Sequence, residues 1–325
     1  MNLITHLDIN NIFIVGDIHG QFKQLFHKIK NGVSNTCGIN TEGLVNEKIL
    51  KECEPFLQEM DKSLAATFYD VSSNYQPSPK DFNNSIIIVA GDCGFGFEKE
   101  EYYIQTFNKY KNLLENNNIF LYFIRGNHDD PSYFSENKIN FSNIKTIPDY
   151  SIIQTKNGNI LCVGGAISID RTWRKEEEIR INKYKKNHFK KRYWEDEKPI
   201  FNKDILDEIS KENIHIDYVV THTSPTIAFP TYKGGIREWS RVDKSLTADT
   251  RDERQTLMHI FNYLKENGHN VKEWIYGHFH SSNREVISNT LFVALNDNMQ
   301  FRPIVHDEQD TMTINPIIIR DFQPF

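Results

Sequence analysis

The chain has 325 residues, enough to bury a large core, and its 38 Lys and Arg against 44 Asp and Glu leave a formal net charge of -6. That balance excludes the uniformly basic surface of a dedicated duplex-binding protein, and no apolar run is long enough to span a bilayer, so no membrane partner is expected. Cys37, Cys53, Cys93 and Cys162 show no CxxC spacing, and the opening MNLITHLDINN lacks the basic flank and apolar stretch of a secretory segment, so a reduced, cytoplasmic location is expected.

In chain order, Ile12 to Val15 reads as a buried strand and ends in GDIHG, Gly16 to Gly20. A helical pattern follows at Lys23 to Lys30. Residues 31–81 read as an insertion, with an amphipathic helix through Leu44 to Leu64 and a polar SSNYQPSP stretch. The run Ile86 to Ala90 leads into GDCGF, Gly91 to Phe95. A helix is expected over Glu100 to Glu115, and Ile119 to Ile124 leads into RGNHD, Arg125 to Asp129. After a strand at Ile160 to Val163, a second insertion at about 170–214 opens on IDRTWR. Its alternating charge predicts a solvent-facing helix laced with i,i+4 pairs, suited to a lid. Tyr218 to Thr221 leads into THTSP, Thr221 to Pro225. A helical pattern at Arg254 to Glu266 follows, and Trp274 to Tyr276 leads into GHFH, Gly277 to His280. Three strand-like runs without helices, Arg284 to Ser288, Thr290 to Leu295 and Met312 to Ile319, predict an antiparallel sheet or edge.

Short Ile- and Val-rich runs alternating with helical segments place the chain in the α/β class. If the first and last motifs share one site, the fold closes over nearly the whole chain. The expected organisation is a single domain, 1–325, decorated by the two insertions.

Each motif alone is explained by a tight turn, with Gly for backbone freedom and Asp as a helix cap. Together they follow strand after strand, at the edge where open α/β sheets bind ligands. They bring Asp17, His19, Asp92, Asn127, His128, His222, His278 and His280. This oxygen and nitrogen set suits borderline divalent ions, and without a thiolate it leaves coordination positions for water and substrate. In an extended segment His278 and His280 project to one face.

The order GD-x-H-G, GD, GNH-D, H and GH-x-H resembles the calcineurin-like metallophosphoesterases over most of the chain, with the two insertions outside the likeness. The resemblance implies a four-layer α/β/β/α sandwich holding two divalent metal ions, manganese foremost, with iron, zinc or nickel as alternatives. It implies that Asp17, His19 and His280 bind one ion, that Asn127, His222 and His278 bind the other, and that Asp92 bridges them. His128 would stand beside the pair without ligating. The implied activity is that of a phosphatase or phosphodiesterase in which a hydroxide held between the metals attacks phosphorus in line. His128 would serve the leaving oxygen and Arg125 would grip phosphate. The implied substrate is a phosphorylated small molecule or a nucleotide.

GDIHGQF and RGNHD are similar to signatures of the protein serine/threonine phosphatases, but the second motif departs from them. Those enzymes carry there an Asp that orients the catalytic His and an Arg that grips phosphate, where this chain has Phe95 and Gly96. His128 therefore needs another orienting partner, with Asp129, Asp130 or a backbone carbonyl as candidates. GGAISIDR at Gly164 to Arg171, with Trp173, Arg174 and the YWEDE stretch at Tyr193 to Glu197, resembles small bacterial and phage members. It makes Asp170, Arg171, Arg174 and Trp194 candidate substrate-cleft residues, the ring stacking a base and a cation holding a second phosphate. A buried Trp and a surface ion pair are the alternative. The basic KYKKNHFKKR, Lys183 to Arg192, is the feature a nuclease would use. Glu176 to Glu178 just before it favour a solvated helix instead, so nucleic acid is not the favoured partner. A non-catalytic scaffold is the alternative of another class, against which the retained ligands count. Oligomeric state leaves no mark in the sequence.

Overall fold

The apolar runs form strands, and the strands fall into two sheets. The computed structural model describes residues 4–34, 82–184, 191–230 and 233–304. The helix expected at Leu44 to Leu64, the strand expected at Met312 to Ile319, Cys37, Cys53 and most of the basic run lie outside these residues. The first elements are β1 (Ile4–His6), β2 (Asn11–Val15), α1 (Phe22–Ser34), β3 (Ser85–Ala90), α2 (Glu100–Asn108), α3 (Lys111–Asn116) and β4 (Ile119–Ile124). Next come α4 (Ser132–Ser135), β5 (Ile144–Thr146), β6 (Ser151–Thr155), β7 (Gly158–Val163), α5 (Arg171–Tyr184) and α6 (Lys203–Lys211). The last are β8 (Tyr218–Thr221), α7 (Ile236–Trp239), α8 (Leu246–Glu266), β9 (Glu273–Tyr276), β10 (Asn283–Ile287), β11 (Thr290–Ala294) and β12 (Arg302–Ile304).

A 5-stranded sheet runs β12-β2-β3-β4-β5 and a 7-stranded sheet runs β1-β6-β7-β8-β9-β11-β10. Strands β2 to β5 are parallel, as crossovers through helices require, and β8 is parallel to both β7 and β9. Period-two alternation then builds the layers. Phe13, Val15, Ile87, Val89, Leu121 and Phe123 pack with Leu25 and Phe26 of α1 and Phe107 of α2. Their neighbours Ile12, Ile14, Ile86, Ile88, Tyr122 and Ile124 face Ile160, Cys162, Val220 and Ile275 of the larger sheet. The far side of that sheet, through Leu161, Val219 and Trp274, packs on Leu206 and Ile209 of α6 and on Leu257, Ile260 and Leu264 of α8. The result is the expected α/β/β/α sandwich. Each of these side chains contributes about 1.5–3 kcal/mol on burial, and a one-residue slip in register would exchange the two cores.

Two sequence expectations change in detail. The helix over Glu100 to Glu115 is broken into α2 and α3, with Tyr110 at the junction stacked 4.1 Å from the ring of Phe26. The helix expected from Arg254 starts at Leu246, because its first turns, LTADTRDE, are too polar to show an apolar period. The closing hairpin is antiparallel as expected, turning on Ser288 and Asn289, both at positive φ as a two-residue hairpin loop requires. It extends the larger sheet, while the unforeseen β12 joins the smaller one, its Pro303 tolerated on an edge strand. No helix among the described residues is long and apolar enough to cross a membrane.

Candidate metal centre

The ends of β2, β3, β4, β8 and β9 meet along one edge where the two sheets face each other, and each hands over directly to a motif loop. Asp17 follows β2, Asp92 follows β3, Asn127 and His128 follow β4, His222 follows β8, and His278 and His280 follow β9. The loops approach one another too closely for side chains at several glycines, Gly126 and Gly277 among them. A Cβ at Gly126 would collide with the backbone and carboxylate of Asp92, and one at Gly277 would collide with Asp17 Oδ1. His19, Asp92, His278 and His280 sit at φ 45, 48, 67 and 52°, a left-handed conformation uncommon for residues with side chains. Such strain gathers at functional sites, where the surrounding packing enforces it.

Among the described residues, Asp17, His19, Asp92 and His280 each offer one ligand atom, and all four atoms lie within 4.8 Å of one another. Asp92 faces two ways. Its Oδ2 lies 4.0 Å from His19 Nδ1, while its Oδ1 lies 3.2 Å from His222 Nε2 and accepts the His128 backbone N–H at 2.9 Å. On that second side His222 Nε2 is 3.0 Å from Asn127 Oδ1, and the His222 and His278 rings are 5.0 Å apart. His222 Nδ1 donates to the Ala90 carbonyl at 2.7 Å, which turns Nε2 toward Asp92 and Asn127 as the nitrogen that would face an ion.

The electrostatics call for a cation. Asp17, Asp92, His222 and His278 are buried, and Asp17 Oδ2 has no hydrogen-bond partner, although His280 Nε2 lies 3.1 Å away. An ionised, unpaired carboxylate oxygen is costly to bury. Burial opposes the charge on Asp92, but His128 and His222 outweigh it and hold the carboxyl well below its usual range. Burial likewise opposes protonation of His222, yet the Asp92 and Asp17 carboxylates push it up to about 9. A divalent ion would satisfy the same field, so the donor set fits one. Burial, then Lys233 and His222, hold His278 well below the usual histidine range.

An outer layer fixes these donors. Asn127 Nδ2 donates to Ser168 Oγ at 2.9 Å, which keeps Asn127 Oδ1 turned toward His222. The Ser168 hydroxyl and N–H in turn donate to Glu197 at 2.6 and 2.9 Å. Burial pushes Glu197 up to about 8 although both Ser168 donors favour its ionised form. Asp129 accepts from the backbone N–H groups of Cys93, Gly94, Phe95 and Gly126, so it holds the second motif loop. Asp130 accepts from Ser132. Neither orients His128. That place belongs to Arg174, whose Nη2 stands 2.6 Å from His128 Nε2 and whose Nε donates to Asp170 at 2.7 Å. Burial first, and the Arg174 cation against the pull of Asp92, lower His128 to about 4.

Three expected cleft or phosphate residues are placed elsewhere. Arg125 gives Nε and Nη2 to Asp149 and its remaining donors to the carbonyls of Asp196, Glu197 and Lys198, so all five N–H groups are engaged within the protein. Arg171 pairs with Asp243 and Asp249. Trp194 is buried with its ring against Gly96 and Phe97, so it fills a wall and offers no face for stacking a base. In the second insertion, Arg174 and Glu197 are buried. Asp170 and Arg174 are brought to the site as expected. Sequence reasoning assigned no role to Ser168, Glu197, Asp149 or Lys233, whose Nζ donates to the His278 carbonyl. The first two stand inside stretches already singled out, GGAISIDR and YWEDE, and that was their only signal.

No curated protein matches the sequence. Among solved structures, a phosphopantetheinyl hydrolase from Mycobacterium tuberculosis aligns over 93% of this chain and 98% of its own, with 14% identity and a TM-score of 0.34. The family model for calcineurin-like phosphoesterases matches residues 11–282, which take in all five motif loops, and the chain belongs to that family.

Proposed function

We propose that the chain is a dinuclear-metal phosphoesterase acting on a phosphorylated small molecule or nucleotide, with a single catalytic domain drawing on residues from Asp17 to His280. The observation that supports it most is the two-sided Asp92, one oxygen turned to His19 and the other to His222, beside the unpartnered buried oxygen of Asp17. In this reading Asp17, His19 and His280 hold one ion, Asn127, His222 and His278 hold the second, and Asp92 serves both. Two divalent cations there supply a nucleophile from water near neutral pH and neutralise phosphoryl oxygens. Manganese is the ion to test first, with iron, zinc or nickel as alternatives, because the same donors accept any of them according to availability.

The chain's own residues do the rest. Asp92 and Asp17 offset cation repulsion, and the imidazoles bind without cancelling the positive charge. His128, partly buried beside the pair and held by Arg174, is placed to serve the leaving oxygen. The test is hydrolysis of p-nitrophenyl phosphate and of its bis ester by chelator-stripped protein, before and after manganese is restored, with metal analysis alongside. Activity that vanishes and returns, with two ions per chain, is expected. Metal-loaded protein that hydrolyses neither ester between pH 5 and 9 would sink the reading.

A further inference from the structure

The guanidinium of Arg174 is held at two corners and open at the third. Its side chain is 10% exposed, with Nε on Asp170 at 2.7 Å and Nη2 at 2.6 Å from Nε2 and 3.1 Å from Nδ1 of His128. Among the described residues Nη1 makes no hydrogen bond. The neighbouring cations are tied down: all five donors of Arg125 serve the protein, and Arg171 is paired with Asp243 and Asp249. Nearby, a Cβ at Gly96 would collide with Asp130 and Trp194, so that loop has no room for a cation of its own.

We propose that Arg174 Nη1 binds a non-bridging phosphoryl oxygen of the substrate and makes the site select phosphomonoesters over phosphodiesters. The inference rests on the phosphoesterase reading above. A terminal phosphoryl group has three non-bridging oxygens and carries close to two negative charges near neutral pH, whereas a diester has two such oxygens and one charge. Ions held by the strand-end donors would neutralise two of these oxygens, and the guanidinium supplies a planar, permanently charged donor for the third. In a diester that third oxygen carries a carbon substituent, which cannot accept a charge-assisted bond equally well and would press on a side chain locked by Asp170 and His128. Asp170 and His128 thus position Arg174, and Arg174 touches substrate.

The test is the ratio of kcat/KM for p-nitrophenyl phosphate to that for its bis ester, with manganese-loaded wild type, Arg174→Ala, Arg174→Gln and Asp170→Asn. Taking the ratio cancels any loss common to both esters from a freed His128. We expect wild type to favour the monoester, and both Arg174 variants to lower the ratio about 10- to 100-fold, the worth of one charge-assisted hydrogen bond, with metal content unchanged. Asp170→Asn should lower it less and in the same direction, and added guanidinium should restore part of the ratio in Arg174→Ala but not in wild type. Arg174→Gln keeps the bulk of the side chain and serves should the alanine variant not fold. A ratio within about twofold of wild type in the folded variants, or a wild type that prefers the bis ester, overturns the proposal while leaving the phosphoesterase reading intact. A metal-loaded wild type inactive on both esters fails that reading instead.

Discussion

The strand-end loops and the segment from Gly164 to Glu197 both bear on the site, and they are built in different ways. The loops leave buried strands directly, place four of their donors at strained φ and deliver the side chains that face the proposed ions. The segment places no candidate ligand there. It acts by hydrogen bonds, from Ser168 and Glu197 onto Asn127 and from Arg174 onto His128, and its carbonyls at 196 and 197 are gripped by Arg125. The loops set which atoms are available. The segment sets where two of them point.

The sharpest way to test that division is to substitute within the loops. Asp92→Asn removes the one charge shared by both halves of the site, and bound metal and turnover should fall together, turnover by about 10³-fold or more, since groups that act as a unit fail as a unit. His128→Asn should leave both ions bound and slow turnover by about 10²-fold or more, the usual worth of a positioned acid or hydrogen-bond donor. Metal analysis beside steady-state rates separates the two. Full turnover in Asp92→Asn would remove that carboxylate from its central place.

The same contrast explains what could be read from the chain. The layers were legible because Ile12 to Val15, Ile86 to Ala90 and Ile119 to Ile124 are apolar on both faces of their strands, as strands buried between helices and a second sheet must be. The donors were legible because polar residues stop those runs abruptly, always at the same end of a parallel strand. Partners were not legible, because a hydrogen bond between Asn127 and Ser168, or Arg125 and Asp149, depends on which distant segment folds against the loop. Arg125 misled for that reason: it stands beside the donors in sequence, yet its guanidinium meets Asp149 and three carbonyls instead of the site. Asp129 misled likewise, since adjacency to His128 concealed that four backbone N–H groups already claim its carboxylate.

A smaller effect should follow from cutting the segment's link to Asn127. Ser168→Ala leaves the Asn127 amide without its acceptor and free to rotate Oδ1 away from His222. Partners of this kind support metal affinity by about 10- to 100-fold, so titration in a metal buffer should show one of the two ions weakened by that order. Glu197→Gln should weaken it less, because burial already pushes the Glu197 carboxyl up to about 8 and the amide replaces a group largely neutral at pH 7. Two ions held at wild-type affinity in Ser168→Ala would mean that packing alone orients Asn127.

The smallest effect on catalysis is expected at Arg125, where sequence and structure disagree most. Arg125→Ala leaves the Asp149 carboxylate without its guanidinium and three carbonyls without donors, the kind of broken, largely buried pair that costs about 3 kcal/mol. Denaturant unfolding of metal-loaded protein should show that loss. Well below the unfolding transition, KM for either ester should stay within about twofold of wild type, because no Arg125 donor is free to meet substrate. A KM raised tenfold with stability unchanged would return Arg125 to the phosphate and place the guanidinium's contacts with Asp149 and the 196–198 carbonyls outside the working enzyme.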